Sequence, residues 1–222
     1  MDGLWRFDQE AIRSIHLGLN HPVLDAIFFV ISSTGLGWVQ ILLILVFTVR
    51  WGRLANRANP SAPEPIRAHP GQSSAFPSDP SHPEPTRAKP SQSPWTWPLL
   101  VAYGATGLVN AVMKKAVPRE RPSNLEWANP QETFFFNSFS SGHTATAFGI
   151  ATTLWWLSRG TPYAWVGRIG WIWAALVGFS RIYRGVHWPT DVVSGAAVGV
   201  VMGTVVALWW QRRVARAEQK GE

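Results

Sequence analysis

The sequence predicts an all-α protein: a polytopic membrane helical bundle of six transmembrane helices with an N-terminal interfacial helix. Three observations carry this. Apolar residues come in blocks, with Val192 to Trp210 an almost uncharged run of membrane-spanning length and Trp95 to Met113, His143 to Leu157 and Tyr163 to Phe179 only slightly less pure. Many of the fourteen tryptophans stand at block ends, such as Trp38, Trp51, Trp95, Trp165, Trp188 and Trp210, the pattern of an interfacial belt. Cations cluster beside these blocks, so the net charge of +7 reads as a topology signal and nucleic acid is not expected as a partner.

From Phe7 to Leu19, Phe7, Ala11, Ile12, Ile15 and Leu19 recur at helical spacing, with Asp8, Gln9, Arg13 and Ser14 between them, which predicts the interfacial helix. It lacks the charged start and small-residue exit of a cleavable signal peptide and reads as part of the mature protein. Pro22 to Ile31 and Trp38 to Val49 are short apolar segments split by Ser32, Ser33, Thr34, Gly35 and Gly37. A hairpin of two spans is the expectation, with one broken helix as the alternative.

Residues 53–94 hold ten of the seventeen prolines, with serine, alanine and scattered charge, a composition that cannot bury a core. Pro63 to Ser73 returns in degenerate form as Pro83 to Ser93, two copies where a solenoid needs three. The expected organisation is one membrane domain over 1–222 carrying a disordered insert at 53–94. If the four later blocks each cross the membrane, the tail after Trp210, the Arg159 and Arg168 connection and the insert share one side. The positive-inside rule makes that side cytoplasmic. The opposite side receives the loop from Lys114 to Gly142 and the turn from Ser180 to His187.

Those two loops gather the candidate chemistry. His187 and Asp191 are one helical turn apart, so the carboxylate can fix the imidazole tautomer and stabilise its positive charge. Pro189 is tolerated there, in a helix's first turn. Such an imidazole can attack phosphorus. Lys114, Arg121 and Arg181 supply cations for a phosphate, and Ser141 and Gly142 open an apolar block whose free backbone donors can face the same anion. His143 is left as general acid. No paired carboxylates offer a magnesium site and no cofactor is expected; the absence of cysteine excludes thiolate chemistry and disulfides.

These residues closely resemble the three-part signature of the phosphatidic acid phosphatase type 2 superfamily: K-x6-R-P, P-S-G-H and S-R-x5-H-x3-D. Lys114 to Pro122 fits the first part, and Ser180, Arg181, His187 and Asp191 fit the third. The second reads Ser140-Ser141-Gly142-His143, with serine where the family has proline. The resemblance implies His187 as nucleophile, Asp191 as its orienting partner, His143 as general acid, and Lys114, Arg121, Ser141, Gly142 and Arg181 as phosphate ligands, with no metal. It further implies a multi-pass inner (cytoplasmic) membrane enzyme acting on a lipid phosphate or diphosphate at the outward face. A lipid phosphotransferase would use the same site, and an anion transporter would instead want charges inside its spans. Arg119 and Arg184 stand near the signature, where interfacial anchoring explains each equally well.

Overall fold

In a computed structural model describing residues 2–58, 95–128, 132 and 137–220, all regular structure is helical among the described residues. The helices are α1 (Asp2–Ile12), continued by a π-helical turn over Arg13–Leu17, α2 (Pro22–Ser33), α3 (Gly37–Ala58), α4 (Thr96–Ala116), α5 (Gly142–Ser158), α6 (Ala164–Tyr183) and α7 (Pro189–Lys220). Of the expected insert, 59–94 lies outside the described residues. By length and apolarity, α4 and α7 can each cross a membrane alone.

Neighbouring residues fix the helix directions. Asn110 of α4 lies beside Gly142 and Thr106 beside Gly149, so α4 and α5 are antiparallel. Gly178 lies beside Thr144 and Gly170 beside Ala151, so α5 and α6 are antiparallel too. The end of α4, the start of α5, the end of α6 and the start of α7 therefore meet at one end of the bundle.

The contact between α5 and α7 is a seam of glycines. Gly195, Gly199 and Gly203, one turn apart, face the carbonyl oxygens of Ser141, Ala145 and Gly149, and a Cβ at Gly195 or Gly203 would stand 2.6 or 2.5 Å from the facing oxygen. Only glycine permits this backbone approach, the small-residue packing by which apolar helices associate in a membrane.

The expected hairpin over 22–51 is not formed. Phe28 packs on Tyr183 and Phe179 near the top of α6, Thr34 accepts a hydrogen bond from Trp173 Nε1 at 2.9 Å lower down, and Trp51 meets Tyr163 at the bottom. Successive segments of α2 and α3 thus descend α6 in one direction, a single broken path in place of the expected hairpin. The twelve residues of α2 reach only about 18 Å, against a hydrocarbon core of roughly 30 Å. At the break, Ser33 and Thr34 hydroxyls bond the carbonyls of Phe29 and Ile31 at 2.8 and 2.6 Å, so side chains satisfy backbone groups that a turn would leave to water.

Helix α1 lies against the end where α6 stops and α7 starts. Trp5 packs on Trp188 at 4.8 Å between ring centroids, and His16 Nδ1 bonds the Tyr183 carbonyl at 2.8 Å. Gly185 has φ +69, and a Cβ there would strike the His16 ring at 2.8 Å. The residues turned inward are Asp8, Ile12 and His16, while Phe7 and Leu19 are exposed. The expected apolar stripe is thus split, and Asp8, assigned by pattern to the polar face, is buried.

Replacing Gly199 by leucine should destabilise the protein by more than the roughly 1–3 kcal/mol typical of overpacking, because the new side chain meets fixed backbone. Thermal unfolding in detergent should show a large fall for Gly199→Leu and almost none for Val201→Leu, at an exposed position on the same helix.

Candidate active site

His187 follows the α6 C-terminus and precedes Pro189, which opens α7 with the residue best suited to a first helical turn. The imidazole is 2% exposed. Its Nδ1 faces Asp191 Oδ2 and Ser138 Oγ, each at 3.5 Å. Its Nε2 lies 3.2 Å from Arg121 Nη1. A guanidinium can only donate, so Nε2 is the acceptor and the ring proton sits on Nδ1, toward the carboxylate. The nitrogen carrying the lone pair points into the cationic cluster.

Asp191 is fully buried and richly bonded. Oδ2 accepts from the Trp188 N–H at 3.0 Å and from the Ser138 hydroxyl; Oδ1 accepts from Arg119 Nη1 at 2.6 Å. Burial holds the His187 imidazole down at about 3 against an ordinary 6.5; the hydrogen bond to Asp191 opposes this and the charges of Arg121 and Arg181 reinforce it. The ring is therefore a free base at neutral pH, the form a nucleophile needs.

The cations are held by neutral groups or by one acid. Lys114 Nζ donates to the carbonyls of Asn137 and Ser138 at 2.9 and 3.3 Å. Arg121 donates to the carbonyls of Val186 and Asn137 at 2.8 and 3.3 Å. Arg181 donates to Ser32 Oγ of α2 and, through both terminal nitrogens, to Glu132 at 3.3 and 3.1 Å. Arg184 Nε donates to the same carboxylate at 2.6 Å. Glu132 thus joins Arg181 and Arg184 through one carboxylate, an oxyanion contact of the kind guanidinium forks also make with phosphate.

His143 stands in the first turn of α5, its ring against Gly35 at the α2–α3 break and within the electrostatic reach of Arg181, His187, Arg121 and Lys114. The Ser141 N–H is engaged by the Asp191 carbonyl at 3.1 Å, so this donor ties α5 to α7. The first-turn donors of Gly142 and His143 have no intrahelical acceptor and remain the part of this helix start able to face an anion. Ser140 donates to Asn110 Oδ1 at 2.6 Å, tethering the turn to α4 where the family pattern relies on a proline ring.

The structure brings His187, Asp191, His143, Lys114, Arg121, Arg181 and Gly142 to one end of the bundle, with the Ser141 hydroxyl accepting from Thr144 at 2.9 Å inside the α5 start. Pattern reading missed Ser138, Glu132, Asp8 and Thr190: Thr190 stands inside the third motif at a position the pattern leaves open, and the other three lie outside the motifs. It named Arg119 and Arg184 but set both aside.

A family profile described as "PAP2 superfamily" matches residues 95–215. Phosphatidylglycerophosphatase B of Bacillus subtilis is 31% identical over 134 residues, covering 56% of this chain and 64% of that one. Lipid A 1-phosphatase of Porphyromonas gingivalis is 48% identical over 67 residues, 30% of this chain and 15% of that one, and an undecaprenyl-diphosphatase of Sulfolobus acidocaldarius is 32% identical over 105 residues, 46% and 48% of the two. The chain therefore spans from 15% to 64% of the length of these relatives. Among solved structures, Aquifex aeolicus LpxE superposes with a TM-score of 0.61 at 26% identity, over 89% of this chain and 93% of that one. A Bacillus subtilis PAP2-type phosphatidylglycerolphosphate phosphatase superposes at 0.68 with 21% identity, over 96% and 88%, a likeness of fold.

Two outcomes follow from this geometry. Glu132→Gln removes the carboxylate competing for Arg181 and Arg184, so orthovanadate, a phosphate mimic, should bind about five- to tenfold tighter, a gain of roughly 1–1.4 kcal/mol by calorimetry. For His187 the folded value lies below the unfolded 6.5, so the unfolded chain binds more protons and this group's stability contribution is lost as pH falls from 6.5 toward about 3. Melting temperatures at pH 7 and pH 5 should accordingly drop less on acidification in His187→Ala than in the parent protein.

Proposed function

The chain belongs to the PAP2 superfamily, whose profile covers more than half of it, and on that premise we propose that it is an integral membrane phosphatase that hydrolyses a lipid phosphate or diphosphate through a phosphohistidine on His187. The observation that carries this reading is the polarity of one ring: Nδ1 turned to a buried carboxylate, Nε2 turned into a nest of cations.

In the first step the Nε2 lone pair attacks phosphorus as the bond to the lipid oxygen breaks. The anionic phosphate offsets the cations around His143, which takes up a proton as substrate binds and gives it to the departing oxygen. The phosphorylated imidazole keeps its Nδ1–H, and Asp191 compensates the positive charge. Lys114, Arg121 and Arg181, with the N–H groups at the start of α5, hold the negative charge that spreads over the phosphoryl oxygens. Arg121 bonds Nε2 and can follow the incoming phosphate, uncovering the nucleophile. In the second step His143, now neutral, takes a proton from water; the water oxygen attacks phosphorus and the N–P bond breaks, returning both histidines to the states they held before the first attack. Charge stabilisation is assigned wholly to side chains and backbone, so the reaction is metal-independent in this reading.

The end bearing these residues is opposite the end carrying Arg159, Arg168, Arg212 and Arg213, and the positive-inside rule then supports an outward-facing site on the cytoplasmic membrane. The relatives' names span glycerophospholipid, lipid A and polyprenyl phosphates, which supports a lipid phosphate class.

Phosphate release in detergent with EDTA, from phosphatidate, phosphatidylglycerophosphate and undecaprenyl diphosphate, is the test. The parent protein should release phosphate from at least one of these, and His187→Ala should lose about three orders of magnitude or more in kcat, as removal of a nucleophile does. Equal rates in the two proteins would remove His187 from the chemistry.

A further inference from the structure

Asp8 is a carboxylate on an N-terminal helix outside the matched family region, yet it is 1% exposed. A buried acid requires partners, and this one has three. Oδ1 accepts the Thr190 backbone N–H at 3.0 Å, one of the unsatisfied donors at the start of α7. Oδ2 accepts the Thr190 hydroxyl at 2.5 Å and Arg119 Nη2 at 2.5 Å. The same guanidinium, through Nη1, donates to the Thr190 hydroxyl at 2.7 Å and to Asp191 Oδ1 at 2.6 Å. The chain of contacts thus runs Asp8, Arg119, Asp191, His187, from the first helix to the reacting imidazole.

We propose that Asp8 and Arg119 are positioning residues for the His187–Asp191 pair. The inference rests on His187 being the reacting group. The argument concerns both geometry and charge. Asp191 can orient the imidazole only if its carboxylate plane is fixed; the Ser138 and Trp188 donors fix Oδ2, and Arg119 fixes Oδ1. A guanidinium placed against Asp191 by itself would neutralise the charge meant to support a positive imidazole. Asp8 on the opposite edge of that guanidinium balances it, so the three groups together keep one net negative charge facing His187. Arginine suits this position because its planar fork reaches two acids at once, which a lysine ammonium on one stem cannot do with the same directionality. Neither Asp8 nor Arg119 touches the phosphate-binding cations, so the expected signature is a change in kcat with KM held.

The experiment pairs kinetics with histidine ¹⁵N NMR of the full chain in detergent, the His187 signals being assigned by their loss in His187→Ala. Asp8→Asn keeps shape and removes charge. It should lower kcat between about tenfold and hundredfold, the range in which small misplacements act, leave KM within about twofold, and convert His187 from a single Nδ1–H form to a mixture of tautomers. Asp8→Glu should restore most of the rate. Parent values of both kcat and the His187 signals in Asp8→Asn would overturn the proposal, as would a lowered melting temperature with those two readouts unchanged. Should Asp8→Asn fail to fold, Arg119→Lys carries the same expectations and the same refutation. A parent protein inactive on every lipid phosphate would sink the phosphatase reading, whereas the tautomer comparison would still decide the role of Asp8 and Arg119.

Discussion

Positive charge packed into one end of an apolar bundle is the constraint on which the rest of this structure depends. Arg121, Arg181 and Arg184 are nearly buried, Lys114 stands beside them, and a cation withdrawn from water is costly unless anions or dipoles replace its hydration. Backbone carbonyls of Val186, Asn137 and Ser138 supply part of that replacement, and Glu132 supplies a carboxylate to the pair Arg181 and Arg184. A phosphate, the proposed substrate group, would add to that replacement. Burial above all keeps His187 neutral and the charges of Arg121 and Arg181 reinforce it, so the cations proposed to hold the substrate also help ready the group proposed to attack it.

Much of this was legible because the chemistry sits on helix starts and ends, where spacing is fixed by the backbone. His187 and Asp191 had to meet, being one turn apart, and Ser141 to His143 had to open a helix. The cations could be named from type alone, because an apolar span tolerates few and those at its end have somewhere to point. What stayed hidden had no such metric. Asp8 reaches Thr190 across 182 positions of sequence and Ser138 reaches Asp191 across 53, and nothing local distinguishes them from solvated residues. Glu132 lies in a loop without periodicity. The break between α2 and α3 was ambiguous for a related reason: serine, threonine and glycine suit a turn, yet in hydrocarbon their hydroxyls can equally cap an interrupted helix whose partners are all on one neighbour.

The N-terminal helix shows how pattern reading can be right about an element and wrong about its faces. The period of its apolar residues marks a helix, and α1 is one. Its inward line, however, is Asp8, Ile12 and His16, because the surface it covers is the polar rim of the site, where Thr190, Arg119 and the Tyr183 carbonyl want partners. An amphipathic helix beside a catalytic centre can be amphipathic twice over, apolar toward lipid and selectively polar toward the protein.

The glycine seam between α5 and α7 acts as a ruler. One histidine rides on the start of each element, His143 in α5 and His187 just before α7, and a slip of one helical turn would separate them by about 5.4 Å. Carbonyl oxygens seated against Gly195, Gly199 and Gly203 forbid that slip, since any intermediate position drives a neighbouring Cβ into backbone. The spacing between proposed nucleophile and acid is therefore metered by packing that begins at the site, with Gly195 on Ser141, and runs about two helical turns away from it to Gly203. Such packing leaves the rim open to change: its loops can be rewritten for lipids as unlike as a glycerophosphate and a polyprenyl diphosphate without recalibrating the catalytic distance.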